Sequence, residues 1–237
     1  MELGFQYGTR YISFNLIYRK RKNMSIEIGP SGEIAVISPL GVDYDTVIEK
    51  VKSKGSWIIG KLYEVSYIND KKIHREAVSG ESFMYLGRSY SLDLVLDESV
   101  SDISVKLFRG KFMVKTNTLD EDSIKKALEF WYREKTLSKI LERVEYYQLY
   151  FRDKVSDVKV KDQKKRWASC TSDNRLLFNW RCVMAPSNIL DYIVVHEMCH
   201  MEHKDHSKAF WDRLCSVMPD YESRRQWLKN NGIKLDL

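Results

Sequence analysis

Residues 186–210 read PSNILDYIVVHEMCHMEHKDHSKAF and hold four of the five histidines in the chain. Within them His196, Glu197 and His200 form the pattern H-E-x-x-H, and His206 follows six residues after His200. Side chains four apart on an α-helix lie on one face. His196 and His200 on such a helix aim two imidazoles at the same point. A third imidazole from beyond the helix end completes a three-nitrogen zinc site with one coordination position open.

That open position matters chemically. Three neutral imidazoles leave the charge of the ion uncompensated, and a water in the fourth place is acidified to a pKa of about 7. Glu197, one residue round the helix from His196, reaches the water rather than the metal and takes its proton. His203 and His206 compete for the third ligand place. A ligand arriving after a chain reversal at Lys204-Asp205 approaches from a direction that one straight helix does not supply, which favours His206. A set of histidines without metal is the plain alternative, and four of them in eleven residues with the glutamate in register argue against it. Structural zinc sites are closed and rich in cysteine. Cys170, Cys182, Cys199 and Cys215 show no C-x-x-C pair, and Cys199 points about 100° away from His200 on the helix.

Outward from the helix, the preceding run KKRWASCTSDNRLLFNWRC reads as a hairpin. Trp167 to Ser169 is one strand, Thr171 to Asn174 a polar turn, and Leu176 to Arg181 the return strand, with Val158 and Val160 in a further short strand. Pro186 and Ser187 open the helix, Ser187 as its cap, and Asp191 complements the dipole. Beyond His206, Phe210, Leu214 and Val217 mark another amphipathic helix ended by Pro219, with Met218 as a core residue. Asp220 caps a last helix through Trp227 and Leu228, closed by Asn231-Gly232. Upstream, residues 121–149 form a long amphipathic helix. Its apolar stripe is Ile124, Ala127, Leu128 and Trp131, extended by Leu137, Ile140, Leu141 and Val144.

The N-terminal half alternates with period two. Ile12, Phe14, Leu16 and Tyr18, then Met24, Ile26 and Ile28, then Ile34 and Val36 describe a small antiparallel sheet with a turn at Gly29-Pro30-Ser31-Gly32. Asp43 caps a helix that Gly55 interrupts and that continues to about Tyr67, with Trp57 in its core face. Asn69 to Gly80 is a polar loop containing His74, expected to be exposed and without a role. A second strand group follows (Tyr90 to Leu96, Ile103 to Leu107, Phe112 and Val114), expected to continue the first sheet. No internal repeat is evident. The fold class is α+β: a β-rich part over 1–118 and a helical part with a short hairpin over 119–237, able to form one continuous domain.

Composition sets wider bounds. The 43% hydrophobic and 30% charged content of 237 residues is that of an ordinary globular chain. No apolar run approaches the roughly 20 residues of a membrane span, and the N-terminus lacks the pattern of a signal peptide. A cytoplasmic location with reduced thiols is expected. The net charge of +6 suits anionic partners, nucleic acid among them, though no base-reading motif accompanies it. Arg19-Lys20-Arg21-Lys22 reads as a solvated hairpin turn.

The runs Arg166-Trp167-Ala168-Ser169-Cys170, Phe178-Asn179-Trp180-Arg181, Asp191-Tyr192-Ile193-Val194-Val195-His196-Glu197-x-x-His200, Asp205-His206-Ser207 and Phe210-Trp211 together resemble the YgjP-like family of metal-dependent hydrolases, relatives of the SprT-like zinc metalloproteases. Ala168 and Asp205 stand where that family has glycine and asparagine, and neither removes a ligand. The metzincin pattern shares the histidine spacing but requires glycine where this chain has His203, so the turn differs. The family resemblance implies a zincin-like catalytic part, with His196, His200 and His206 as zinc ligands and Glu197 as the catalytic residue. Two enzymatic readings follow, a metallopeptidase and a nucleotide (UTP) pyrophosphatase on the same centre, so the substrate is a polypeptide or a nucleotide. A nucleic-acid-associated protein is the third reading. Arg166 and Arg181 are candidates either for clamping phosphate or for pairing structurally with carboxylates such as Asp191.

Overall fold

Apolar alternation over the first forty residues produces four strands: β1 (Glu2–Tyr7), β2 (Arg10–Arg19), β3 (Ser25–Ile28) and β4 (Ile34–Pro39). They form one sheet in the order β1-β2-β4-β3. A computed structural model describes residues 1–29, 31–70 and 75–237. His74, and Pro30 of the expected turn, lie outside the described residues. The chain divides into two compact units, Met1–Lys72 and Ile73–Leu237. In the first, α1 (Tyr44–Lys52) and α2 (Gly55–Asp70) cover the sheet. Phe5, Ile12, Phe14, Leu16, Val36, Val47, Val51 and Ile58 make its core. Gly55 begins α2 because a Cβ there would lie 2.3 Å from the Tyr7 ring.

The second unit opens with β5 (Ser82–Tyr85), β6 (Arg88–Leu96), β7 (Ser104–Phe108) and β8 (Lys111–Thr116). These strands build their own sheet, in the order β5-β6-β8-β7, and do not continue the first. The reason is where the apolar faces go. Phe83, Leu92, Phe112 and Val114 share a core with Ile124, Leu128, Trp131 and Tyr132 of α3 (Glu121–Gln148) and with Trp180. The β5–β8 sheet therefore belongs to the same compact unit as the helices that follow it. Both sheets are mixed rather than antiparallel: β2 runs parallel to β4, and β6 parallel to β8.

The two units also share a plan that the sequence reading did not find. Phe5 opposite Ile12 and Tyr7 opposite Arg10 in one hairpin match Phe83 opposite Tyr90 and Tyr85 opposite Arg88 in the other. Leu16 opposite Val36 matches Leu94 opposite Val114. Each sheet is followed by a helix capped by an aspartate: Asp43 accepts from the Thr46 amide at 2.8 Å, Asp120 from the Ser123 amide at 2.9 Å. The fully buried positions correspond too, as Val36 with Val114, Ser38 with Thr116, Val47 with Ile124 and Val51 with Leu128. The two units thus repeat one plan of sheet followed by helix. Packing asks only for an apolar or small residue at each such place, so few identities recur.

Several local expectations change. β1 was not anticipated, although Leu3, Phe5 and Tyr7 alternate before the Gly8-Thr9 turn. Trp57 is 46% exposed, since Ile58 is the residue that turns to the sheet. Leu137 and Leu141 face solvent, and Thr136, Ile140, Val144 and Tyr147 continue the buried stripe of α3. After α3 come β9 (Asp157–Lys161), β10 (Ala168–Cys170) and β11 (Arg175–Asn179), in the order β10-β11-β9 with β9 parallel to β11. A 3-10 turn at Trp180–Met184 leads into α4 (Ser187–Glu202), and α5 (Lys208–Val217) and α6 (Tyr221–Asn231) complete the helices. No helix among the described residues is long and apolar enough to cross a membrane.

Candidate metal centre

The placement of α4 starts at its entry. The β5–β6 hairpin tip donates the Leu86 amide to the Val183 carbonyl at 2.8 Å and the Gly87 amide to the Met184 carbonyl at 3.1 Å. Gly87 sits at φ +78°, and a Cβ there would lie 2.8 Å from the Pro186 Cα. Only glycine meets both demands. Ser187 is the first helical residue rather than the cap; Pro186 holds the cap position and offers no side-chain bond. From α3, Arg143 grips Asp191 with two bonds of 2.6 and 3.1 Å, and Tyr147 adds a third at 3.1 Å. Asp191 is thus a docking residue whose partner is Arg143, not Arg166 or Arg181.

One face of α4 (Ile189, Leu190, Ile193, Val194, Met198 and Met201) is buried in the core. The remaining face presents Tyr192, His196 and His200 at four-residue spacing. The chain then turns between His203 and Ser207 and brings His206 back over them. A ring nitrogen from each of His196, His200 and His206 lies within 4.8 Å of the others. Nε2 of His196 and Nε2 of His206 are 3.1 Å apart. Two nitrogens bound tetrahedrally to zinc stand about 3.3 Å apart, so this spacing fits a metal. Phe210 is the common floor, its ring centroid 4.9, 4.5 and 4.8 Å from those of His196, His200 and His206. His203 is outside the group. Its backbone caps α4, and its carbonyl oxygen lies 2.9 Å from His200 Nδ1.

Glu197 is 6% exposed and faces β10. Burial raises its pKa to about 8, against the opposing pull of Arg166 and of the Cys170 amide that bonds it. Its Oε2 is buried without a partner, as is His196 Nδ1. Buried polar atoms are rarely left so. The open Glu197 oxygen is therefore free to bond a group that completes the site. Burial likewise depresses His196 to about 3 and lowers His200, keeping both imidazoles neutral and free to ligate.

Around the cluster stand residues that sequence reasoning left without a role. Trp211 stacks on His206 at 5.6 Å and donates Nε1–H to the His206 carbonyl at 3.1 Å, fixing an otherwise exposed ligand candidate. Tyr192, one turn before His196 with ring centroids 5.7 Å apart, is 5% exposed. The four-residue spacing of Tyr192 from His196 was legible in the chain. Arg225 of α6 carried no such signal, because only folding brings it to Trp211. Arg181 is held by Asp162 and Asp236, each at 2.6 Å, and lies over the Trp180 ring at 4.0 Å, so its role is structural. Arg166 forms no ion pair among the described residues. Cys199 is fully buried, its thiol pushed up to about 12 by burial, as befits a packing residue.

Three converging imidazoles, with a buried carboxyl group on the residue next to His196, make a site suited to holding a divalent ion. In comparison with known proteins, the family model described as YgjP-like, metallopeptidase domain, matches residues 22–231. A UTP pyrophosphatase of Escherichia coli (strain K12) is 42% identical over 48 residues, 19% of this chain and 29% of that protein. The similarity thus spans less than a third of that relative's length.

Proposed function

Because the chain belongs to the YgjP-like metallopeptidase-domain family, we propose that it is a zinc-dependent hydrolase of metallopeptidase type, with His196, His200 and His206 as ligands and Glu197 as general base. The observation that carries this reading is the convergence of three imidazoles, with Glu197 next to His196 in the chain, buried and holding an unpartnered Oε2. When bound, the ion supplies Lewis acidity that brings a water into the neutral pH range. The protein does the rest. The Cys170 amide holds the Glu197 carboxyl group and leaves the other oxygen free to accept the proton of a water. The His203 carbonyl accepts a hydrogen bond from Nδ1–H of His200, so that Nε2 carries the free lone pair. Phe210, fully buried, gives the site an apolar floor.

The test is a metal analysis joined to a turnover assay. About one zinc per chain is expected, lost in His200→Ala, with cleavage of unfolded polypeptide lost alongside it. A folded protein that takes up no metal sinks the reading. A second reading, hydrolysis of a nucleoside triphosphate with release of pyrophosphate, draws support from the similarity to the Escherichia coli UTP pyrophosphatase and from the unpaired Arg166. Assaying UTP in parallel separates the two, since each predicts turnover of one substrate and not the other.

A further inference from the structure

Arg225 is an exposed guanidinium with no hydrogen bond or ion pair among the described residues, whereas its neighbour Arg224 bonds Asp220 and the Asn188 carbonyl. It lies instead over the Trp211 ring, 4.8 Å from the centroid. Trp211 is the residue that stacks on His206, and its ring is 6.1 Å from that of His196. Tyr221 stacks on Trp211 as well, at 5.5 Å. An aromatic platform therefore carries a metal-ligand candidate and an unneutralised cation together. Close by, Tyr192 packs on His196, and its hydroxyl has no hydrogen-bond partner among the described residues. A phenolic O–H is a hydrogen-bond donor at neutral pH. The positive charge of Arg225 acts on the Tyr192 phenol, so the two groups lie within electrostatic reach of one another.

A planar guanidinium fork and a phenolic O–H, both unengaged, suit the paired oxygens of one anionic group. We propose that Arg225 and Tyr192 form an anion-binding subsite beside His196 and His206, which takes a phosphate or carboxylate of the substrate and so fixes it against the three-histidine cluster. Stacking on Trp211 holds the guanidinium in place before binding, which reduces the entropy lost when the anion arrives. This subsite rests on the hydrolase reading for its purpose, but its binding is measurable apart from turnover.

The experiment is calorimetric titration of the zinc-loaded protein with uridine monophosphate and uridine, and with a tripeptide having a free or an amidated C-terminus. Wild type is compared with Arg225→Ala, Arg225→Lys and Tyr192→Phe, and zinc content is measured in each. Wild type is expected to favour the anionic member of at least one pair. Arg225→Ala should lose that preference by about tenfold or more. Arg225→Lys should restore part of it, Tyr192→Phe should lose a smaller part, and zinc should remain. Loss confined to the uridine pair identifies a phosphate, and loss confined to the peptide pair a carboxylate. Equal preference in wild type and Arg225→Ala, or none in wild type, overturns the subsite while leaving the hydrolase reading intact. Absence of zinc from wild type would instead strike the hydrolase reading.

Discussion

Nδ1 of His200 lies 2.9 Å from the carbonyl oxygen of His203, so the residue that ends the helix also sets the tautomer of a ligand candidate three positions before it. The contact uses only the backbone of His203. His203→Ala is therefore expected to keep a full equivalent of zinc, whereas His206→Ala, which removes a ring of the cluster, should weaken retention by at least tenfold. Zinc content after dialysis against a graded chelator gives the comparison, and equal losses from the two variants would contradict the assignment.

Glu197→Gln keeps the shape of the buried side chain and removes the base. Turnover of whichever substrate is found should fall by about 10²–10⁴-fold with zinc content unchanged. A variant that turns over at the wild-type rate removes Glu197 from the chemistry.

The same substitution makes a prediction about the metal-free protein. Burial raises the Glu197 pKa from 4.5 in the unfolded chain to about 8, so the folded state holds its proton more tightly. Its contribution to stability is full below about pH 4.5 and is lost as the pH rises towards 8. His196, depressed from 6.5 to about 3, acts oppositely, and its contribution is lost as the pH falls through that range. Glu197→Gln removes only the first effect. In chelator, its stability relative to wild type should therefore improve by roughly 1–3 kcal/mol between pH 5 and pH 8. Thermal melts of both proteins at the two pH values measure this, and a difference that does not change with pH would disprove it.

Asp191→Asn breaks the bidentate pair with Arg143, whose side chain is 24% exposed against 15% for Asp191. The guanidinium loses its counter-charge in a half-dry setting, for a cost of about 1–3 kcal/mol. Urea denaturation should show the midpoint fall, and the loss should not add fully to that of Arg143→Ala, since one interaction is removed in both.

Gly87→Ala forces a Cβ into the left-handed region and against Pro186 at once. A loss of roughly 1–3 kcal/mol is expected, accompanied by weaker zinc retention, because the hairpin tip is bonded to the turn that starts α4. Unchanged stability would show that the tip is free to move aside.

His196, Glu197 and His200 were legible because helical spacing alone puts them together, and His206 because a ligand after a reversal approaches from a new direction. The alternation of most strands and the aspartate cap at Asp43 were likewise written in local pattern and local hydrogen bonding. The sequence by itself therefore determined the α+β class, the helix of the site and the residues able to hold a metal. It did not reveal that β5–β8 would form a separate sheet, or that this sheet repeats the plan of the first. Pairing between distant strands and the face an apolar residue seeks depend on partners remote in the chain. The partners of the arginines were decided the same way. Arg181 goes to Asp162 and Asp236, Arg143 to Asp191, and Arg225 to the face of Trp211. No spacing rule encodes such contacts, because a charge finds its neighbour only when folding has brought separate elements side by side.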